Sequence, residues 1–466
     1  MRPVLVLNVV GLTPAMLGEN TPNLKALANA GATRPLETVT PAVTCSVQST
    51  LLTGTMPSQH GIVGNGWYFR ELAEIWLWRQ SNHLVNGEMI WDAARKRDPE
   101  FSVAKLFWWY NMYSSADVSV TPRPQYPADG RKFPDVYTQP PELRDQLQTK
   151  LGQFPLFRFW GPAADVVSTE WIGRSAELIL QERKPTLTLV YLPHLDYDLQ
   201  RLGPDDPAIA TRLREVDVVA GRLIDSAHKL GASVIALSEY GITRARGAIL
   251  INRVLREAGL LTVRREDAGE QLDPGASQAF AVVDHQIAHV YVREPSRIDE
   301  VRTLCSMVDG VEAVWGQDEK RAAGLDHARS GELVLIAKPE RWFQYYFWLD
   351  DAHAPDYART VDIHRKPGYD PVELFLDPEK PMVKARIGLT LLARKLGMRA
   401  MMDVIPLDPS LVKGTHGRVT DRPEDGPVFI TDAPEWLDDQ KTVRAVDVKS
   451  IVLRHVFGGD GDRRTV

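Results

Sequence analysis

The sequence predicts an α/β fold, and two runs of residues near the N-terminus indicate it first. Val4 to Val10 is an apolar run, interrupted by Asn8 and closed by Gly11, which is the pattern of a parallel strand covered on both faces. Residues 21–31 follow with a Thr-Pro start, apolar residues at helical spacing and a final glycine, so they predict a helix with both ends marked. A buried strand followed by a capped helix is typical of the start of an α/β chain.

The same alternation returns in the middle of the chain. A helix is predicted over 168–183, a buried strand over 186–192, a long amphipathic helix over 206–230 and another strand over 232–238. Both strands end in polar clusters, and the ligands of open α/β sheets collect at the carboxyl ends of strands. We therefore expect a binding site where these two strands end.

Stretches with weaker periodicity predict insertions. Residues 101–161 are rich in aromatics and proline, which predicts an excursion over the active face. Inserted aromatic residues are expected to cap an organic substituent, especially Trp108, Trp109, Trp342, Tyr345 and Tyr346; the alternative is a hydrophobic lid or a dimer surface. Residues after 448 end in Gly, Asp and Arg and predict a loosely held tail. The predicted division is a core of residues 1–100, 162–250 and 360–447, an aromatic insertion at 101–161, an inserted cap subdomain at 251–359 and a flexible tail at 448–466.

Composition and charge exclude several classes of protein. The chain has 466 residues, of which 44% are hydrophobic and 25% charged, with a net charge of -6, so it is globular and offers no basic footprint for nucleic acid. It has no apolar run of spanning length and no signal-peptide pattern, and its two cysteines make no disulfide framework. We expect a cytoplasmic protein with a small-molecule substrate and neither nucleic acid nor membrane as partner; homo-oligomer formation stays open.

Thr44 is the candidate nucleophile. It follows Pro41 in a turn and precedes a helical apolar run, so its hydroxyl would lie at a helix N-terminus. Free backbone N–H groups and the helix dipole there favour an anion or an alkoxide. The alternative is that Thr44 is only an N-cap.

Two clusters at predicted strand ends carry possible metal ligands. His194 and Asp196 follow a buried strand, and their spacing would place both on one side of an extended backbone, within reach of one ion. Glu239 adds a carboxylate at the end of the next strand. The alternative for each is a structural side chain that only forms hydrogen bonds.

Two further clusters lie late in the chain. Asp362 and His364 repeat the two-residue spacing, and Arg365 and Lys366 after them add charge that suits a phosphate. His416 lies between glycines, where packing of a core is a weak explanation for an imidazole. Carboxylates and imidazoles in this mixture suit Zn, Mn or Fe rather than Mg or Ca.

The order of several short motifs resembles the alkaline phosphatase superfamily, most closely its nucleotide pyrophosphatase/phosphodiesterase branch. The motifs are Gly11-Leu12-Thr13-Pro14, Thr21-Pro22-Asn23-Leu24, Leu52-Thr53-Gly54, His60-Gly61-Ile62-Val63-Gly64-Asn65, Leu202-Gly203-Pro204 and Thr415-His416-Gly417. The resemblance implies a mostly parallel sheet sandwiched by helices, with inserted cap segments. It also implies two metal ions beside a Thr or Ser that forms a covalent phosphoryl intermediate. Thr44 falls on that nucleophile, Asp196 on an aspartate ligand and His416 on a histidine ligand.

Several positions depart from the pattern of that family. Its first aspartate is Val10 here, and Asn8 is the nearest side chain with an oxygen. The other replacements are Val47 for an asparagine, Gln200 for a histidine and Glu239-Tyr240 for an Asp-His pair. The resemblance therefore implies a metal site that is rebuilt from other residues.

The resulting prediction is a metal-dependent hydrolase of phosphate or phosphonate esters, similar to a phosphodiesterase, that acts on a small metabolite. Thr44 would attack phosphorus, and Asn8, Arg365 and Lys366 would bind the substrate. One or two divalent ions are expected, zinc first and manganese or iron as alternatives, held by His194, Asp196, Glu239, Asp362, His364 and His416. Two alternatives stay open: an iron site with non-hydrolytic chemistry, and a non-catalytic protein that binds a ligand.

Overall fold

A nine-stranded sheet forms the centre of the protein, whose computed structural model describes residues 1–128 and 131–458. Its five central strands run parallel, and antiparallel pairings occur towards both edges. Across the sheet the order is β21 (Val443–Arg444), β2 (Ala32–Glu37), β20 (Val428–Thr431), β9 (Ser233–Leu237), β1 (Val4–Val9), β8 (Leu187–Leu192), β5 (Val103–Leu106), β6 (Val118–Pro122) and β7 (Val136–Gln139). The predicted α/β fold with a mostly parallel sheet is confirmed.

The described residues contain thirteen α-helices. They are α1 (Pro22–Ala30), α2 (Thr44–Thr53), α3 (Pro57–His60), α4 (Ile90–Arg97), α5 (Leu143–Leu151), α6 (Val166–Arg183), α7 (His194–Leu202), α8 (Ile209–Lys229), α9 (Ile251–Glu257), α10 (Ile298–Ser306), α11 (Gln317–Ala322), α12 (Val383–Lys395) and α13 (Val448–Phe457). Of these, α1, α5, α6, α8 and α13 contact strands of this sheet. Helices α6 and α8 pack on each other and on β8 and β1, while α2 and α13 form a second group that also reaches β1. Every residue of β1 is buried, as expected for a strand covered on both faces. None of the helices in the described part of the chain combines the length and apolarity needed to cross a membrane.

A second, antiparallel sheet lies within the predicted insertion at 251–359. In order its strands are β14 (Ala279–Asp284), β15 (Ile287–Val292), β17 (Leu333–Ala337) and β16 (Val311–Trp315), and they contribute to a separate apolar cluster. The shorter strands are β3 (Gly66–Phe69), β4 (Glu74–Leu77), β10 (Thr243–Arg244), β11 (Gly247–Ile249), β12 (Val263–Glu266), β13 (Gly269–Leu272), β18 (Arg341–Phe343) and β19 (Gly414–Thr415).

The structure differs from the predicted division in two places. Residues 103–139, expected to be an excursion, supply β5, β6 and β7 to the main sheet. Their strands are only four or five residues long and bury polar side chains such as Lys105 and Thr121, which hides the apolar pattern. Residues 448–457, expected to be part of a flexible tail, form α13, which packs against α2. The rest of that predicted tail, 459–466, lies outside the described residues.

Strand β19 brings the loop of His416 to the end of the main sheet. It pairs with β10, which follows β9 in the chain, and it lies against α7. A Cβ atom on Gly414 would be only 2.2 Å from the carbonyl oxygen of Leu199 in α7. Glycine is therefore required where β19 meets the helix that carries Asp196.

We expect Gly414→Ala to lower the free energy of unfolding by about 1–3 kcal/mol, because the new Cβ overlaps the backbone of α7. Chemical denaturation followed by circular dichroism measures the loss. Gly388→Ala is the matched control: a Cβ there meets no atom within 4 Å, and alanine in this position of α12 should stabilise by up to about 1 kcal/mol. Equal effects of the two substitutions would contradict the close contact.

Candidate active site

A cavity of about 1790 Å³ opens beyond the carboxyl ends of the parallel strands. Tyr191 at the end of β8 and Tyr240 just after β9 both reach its wall, which is the location expected for a ligand in an open α/β sheet. Six of the residues predicted to form the site also line it: Thr44, Asp196, Asp362, His364, Arg365 and His416.

Thr44 is the first residue of α2, and its hydroxyl faces the cavity. The helix N-cap is Val43, and no side-chain capping bond forms there, so the alternative of Thr44 as an N-cap is wrong. All residues of α2 are buried, and Thr44 Oγ1 lies 3.1 Å from the hydroxyl of Tyr240. The helix therefore presents the threonine oxygen at its positive end.

A chain of hydrogen bonds runs through Tyr240 to a buried carboxylate. The Tyr240 hydroxyl donates to Asp196 Oδ1 at 3.3 Å, so the Thr44 hydroxyl is the donor to Tyr240. Gln200 Nε2 donates to the other oxygen of Asp196 at 2.8 Å, and the Tyr369 hydroxyl donates to Gln200 Oε1 at 2.9 Å. Both oxygens of Asp196 thus have a partner, and the threonine proton has a path to one of them.

Burial sets the charge of the two groups beside Tyr240. It raises the pKa of Asp196 to about 7, although the hydrogen bonds from Gln200 and Tyr240 oppose the shift. Burial lowers the pKa of His416 to about 3, so the imidazole is neutral. His416 Nδ1 lies 2.8 Å from the Ala42 carbonyl, which fixes the proton on Nδ1 and leaves a lone pair on Nε2, 3.9 Å from Asp196 Oδ1. The Tyr240 ring stacks on His416 with centroids 3.6 Å apart.

The Glu239 carboxyl group accepts hydrogen bonds from two side-chain amides. Asn8 Nδ2 and Gln48 Nε2 both donate to Glu239 Oε1 at 2.5 Å, and Gln48 Oε1 accepts a bond from the backbone N–H of Trp109 at 2.7 Å. Burial raises the pKa of Glu239 to about 8, so the side chain is mostly protonated at neutral pH. Among the described residues, the cavity wall includes neither Glu239 nor Asn8.

Aromatic rings form the wall next to Thr44. Trp78 packs on Trp109 at 4.8 Å between centroids, and Trp160 packs on Tyr369 at 5.6 Å. Of the aromatic residues expected to cap a substituent, Trp109 lies on the wall. The others are buried and do not line the described cavity: Trp108, Trp342, Tyr345 and Tyr346. Such flat apolar walls suit an organic group of a ligand.

His285, which the sequence offers either as a possible ligand or as a structural strand residue, lies on the cavity wall. It lies at the turn between β14 and β15 with a left-handed φ of 57°, and its ring stacks between Tyr369 and His416 at 3.9 and 3.6 Å. Burial lowers its pKa well below the usual value. Polar residues 284–286 between two apolar runs could have indicated a hairpin turn, but nothing in the sequence indicated where the turn points.

His194 does not face the same space as Asp196. Both belong to α7 rather than to an extended segment, and residues two apart on a helix point in different directions. His194 is buried, and Arg212 and Arg201 are the charged groups near it; the cavity wall as described does not include it. The prediction that these two residues reach one ion is wrong.

Lys366 is not available to bind a substrate. Its ammonium group lies 2.7 Å from both Asp370 and Glu373, and the side chain is 1% exposed. The prediction of a phosphate contact there is wrong, because the sequence does not show which lysine folds inward. Arg365 next to it lines the cavity with its side chain 62% exposed, 3.6 Å from Asp362.

Comparison with known proteins places these features in a family. Residues 4–370 match the family model described as type I phosphodiesterase/nucleotide pyrophosphatase. The chain belongs to this family. An uncharacterised pyrophosphatase/phosphodiesterase of Schizosaccharomyces pombe is 26% identical over 233 residues, which is 48% of this chain and 41% of that protein. The resemblance found in the short motifs is confirmed.

Solved structures show the same fold at low identity. Phosphonoacetate hydrolase from Sinorhizobium meliloti, in complex with phosphonoformate, superimposes with a TM-score of 0.62 and 16% identity, covering 98% of this chain and 96% of that one. Murine ectonucleotide pyrophosphatase/phosphodiesterase 5, in an inactive form with AMP, gives a TM-score of 0.59 and 15% identity, covering 98% and 95%.

The donors at this site do not fit the two-metal centre that the family resemblance implies. Residues 1–128 and 131–458 contain no group of three or more His, Cys, Asp or Glu side chains that could hold a metal ion. Both oxygens of Asp196 already accept hydrogen bonds, and the Tyr240 hydroxyl occupies the space between Asp196 and Thr44. Of the other predicted ligands, Glu239 hydrogen-bonds with Thr44 but is held by Asn8 and Gln48, and neither it nor Asp362, His364 or His194 completes a group of three ligands in the described residues, so the six-residue ligand set does not assemble.

Gln48 supports this phosphodiesterase-family site by bridging Glu239 and Trp109. We expect Gln48→Leu to lower the free energy of unfolding by about 3 kcal/mol, because a buried carboxyl group and a backbone N–H lose their partner together. Urea denaturation gives the value. Gln59→Leu is the control, since Gln59 bonds only an exposed N–H of Met56 and should change stability by less than about 0.5 kcal/mol. Similar losses in both variants would contradict the bridging role.

Proposed function

We propose that the protein hydrolyses a phosphate or phosphonate ester of a small organic molecule, with Thr44 as the nucleophile. One observation carries the proposal: Thr44 Oγ1 lies on the cavity wall at the start of a buried helix, 3.1 Å from a tyrosine hydroxyl that donates to a carboxylate. A nucleophile, a path for its proton and a helix N-terminus facing the ligand are the parts that phosphoryl transfer to a hydroxyl needs.

The hydrogen-bond chain defines the proton movements. As Thr44 Oγ1 forms its bond to phosphorus, its proton passes to the oxygen of Tyr240, and the Tyr240 proton passes to the Asp196 carboxylate. The ester oxygen leaves with the bonding electron pair and takes a proton from solvent. Water then attacks phosphorus and releases one proton to solvent, while the P–O bond to Thr44 breaks and the Thr44 oxygen recovers its proton from Asp196 through Tyr240. Gln200 keeps Asp196 oriented throughout.

The cavity wall supports a substrate with an organic group and an anionic group. Trp78, Trp109 and Trp160 offer flat apolar surfaces on the wall of the cavity that Thr44 also lines. On the same wall, Arg79 stacks on Trp76 at 3.4 Å, and Arg365 is another cation. The proteins of like fold bind phosphonoformate and AMP, which are small phosphorus-containing anions. A small phosphodiester or phosphonate ester has both kinds of group.

No step of this proposal passes through a metal ion, because the donors found at the site do not fit one. Zinc, manganese or iron dependence remains a prediction from the family resemblance. The donors give no particular support to an iron centre with non-hydrolytic chemistry.

A second candidate function is binding without turnover. It is favoured by the filled space between Thr44 and Asp196 and by Glu239, which burial keeps mostly protonated. In that case the cavity would hold the same type of anion, and Thr44 would be a contact rather than a nucleophile.

We expect Thr44→Ala to reduce kcat/KM for a phosphodiester such as bis(p-nitrophenyl) phosphate, or for p-nitrophenyl phenylphosphonate, by at least about 10³-fold. Thr44→Ser should keep most of the activity because it keeps the oxygen. Ser46→Ala is the matched control in the same helix, since the buried Ser46 hydroxyl has no hydrogen-bond partner in the described structure. Initial rates of p-nitrophenol release measure all three.

The outcomes separate the two candidates. Loss of turnover in Thr44→Ala only, with a phosphorylated Thr44 peptide trapped from the unaltered protein and identified by mass spectrometry, supports hydrolysis through the threonine. Full activity in Thr44→Ala would contradict the nucleophile. Binding of the substrate without turnover by the unaltered protein would support the second candidate.

A further inference from the structure

Helix α12 and the segment after it leave a large apolar surface in solvent. None of the thirteen residues of α12 is buried. The exposed apolar side chains in this region are Met382, Leu389, Leu391, Leu392, Leu396, Met398 and Met401, each more than half exposed. A contiguous apolar surface of this kind is unusual on a monomer and marks an interaction site.

The helix is apolar on two opposite sides. Ile387 and Leu391 lie on the side that lines the cavity, and Met398, beyond the end of the helix, lines it as well. At 100° for each residue, Leu389, Leu392 and Leu396 lie about 120° to 180° around the helix from the mean direction of Ile387 and Leu391. A helix that is apolar on both sides needs an apolar environment on both, and the cavity supplies only one.

The charge of the same segment has one sign. Residues 383–402 contain five basic residues, Lys384, Arg386, Arg394, Lys395 and Arg399, and no aspartate or glutamate, in a chain whose net charge is -6. Lys384 and Lys395 project from one flank, between the two apolar sides. The closest carboxylate to Arg386 is Asp403 at 3.5 Å, beyond the end of the segment.

We propose that α12 docks on the surface of an anionic lipid bilayer. Leu389, Leu392 and Leu396 insert at the level of the headgroups and upper acyl chains, and Lys384 and Lys395 extend to the lipid phosphates. A bilayer satisfies both features of the segment, since it is apolar inside and negative at its surface. A second copy of this chain fits less well, because two such helices would bring ten positive charges together.

Docking would place the cavity at the lipid surface. The side of α12 opposite the proposed membrane contact forms part of the cavity wall, so an amphiphilic ester could reach Thr44 from the bilayer. That consequence rests on the proposed function, whereas the docking itself does not. Docking would overturn the expectation of no membrane partner, which rested on the lack of a spanning segment; an interfacial helix needs no such segment.

Sedimentation of the full chain with phosphatidylcholine vesicles, with and without phosphatidylglycerol, tests the docking. We expect binding to rise at least about tenfold when phosphatidylglycerol is present, since basic residues next to the membrane respond to surface potential. The triple variant Leu389→Ser, Leu392→Ser and Leu396→Ser should lose about tenfold or more of that binding, and Lys384→Gln with Lys395→Gln should lose the preference for the anionic lipid.

A matched control uses exposed apolar residues elsewhere. Val218→Ser, Met307→Ser and Leu349→Ser together remove a similar apolar area from other surfaces and should leave vesicle binding unchanged. Thermal unfolding should be the same for all variants, because each changed side chain is exposed.

Two results would overturn the proposal. One is vesicle binding that does not respond to the α12 substitutions. The other is no vesicle binding together with a dimer, detected by light scattering, that the triple substitution dissociates. Loss of esterase activity alone would bear on the proposed function and not on docking.

Discussion

The arrangement around Thr44 depends on the hydroxyl of Tyr240, which lies 3.1 Å from Thr44 Oγ1 and 3.3 Å from Asp196 Oδ1. The phenol joins three parts of the chain that are far apart in sequence: the start of α2, the turn after β9 and helix α7. Its ring is held flat against His416, so the oxygen has little freedom to leave this position. The site is therefore built around a hydrogen bond at the place where the family resemblance implies a cation.

Residues at and near the positions that depart from the family pattern form hydrogen bonds with the buried carboxyl groups. Gln200, in place of a histidine, donates to Asp196, and Glu239, in place of an aspartate, accepts from Asn8 and Gln48. Each buried carboxyl group keeps partners, and burial raises the pKa of both. Burial favours the protonated form of these groups, and uncharged donors supply hydrogen bonds where an ionised carboxylate in a low-dielectric interior would otherwise need a cation. The same burial that disfavours bare charge makes a neutral hydrogen-bonded network stable.

The sequence predicted the parts of this site that have a local signal. Thr44 was found from a turn followed by a helix start, and His416 from its glycine neighbours, and both line the cavity. The sequence also predicts strands β1, β8 and β9, because each strand is buried along its whole length and therefore consists mainly of apolar residues.

The remaining features depend on tertiary contacts that no short pattern carries. The sequence shows Tyr240 only as a replacement for a histidine of the family pattern. Its role depends on the tertiary contact of its hydroxyl with Thr44 of α2 and Asp196 of α7. The predicted position of His194 beside Asp196 is wrong because helix α7 begins at His194, directly after the strand and Pro193. Strands β5 to β7 carry buried polar residues, so apolar alternation did not reveal them. Lys366 illustrates the same limit, since only the fold brings Asp370 and Glu373 around its ammonium group.

The most direct test of the central claim is calorimetric titration of the chelator-treated protein with zinc, compared with the double variant Gln200→His and Tyr240→Ala. The account predicts no zinc site with a Kd below about 1 μM in the unaltered protein. It also predicts tighter binding in the variant, where a third ligand joins Asp196 and His416 and the phenol is gone. Stoichiometric tight binding of zinc by the unaltered protein, lost in Asp196→Asn, would contradict the claim that a tyrosine hydroxyl stands where a metal would be.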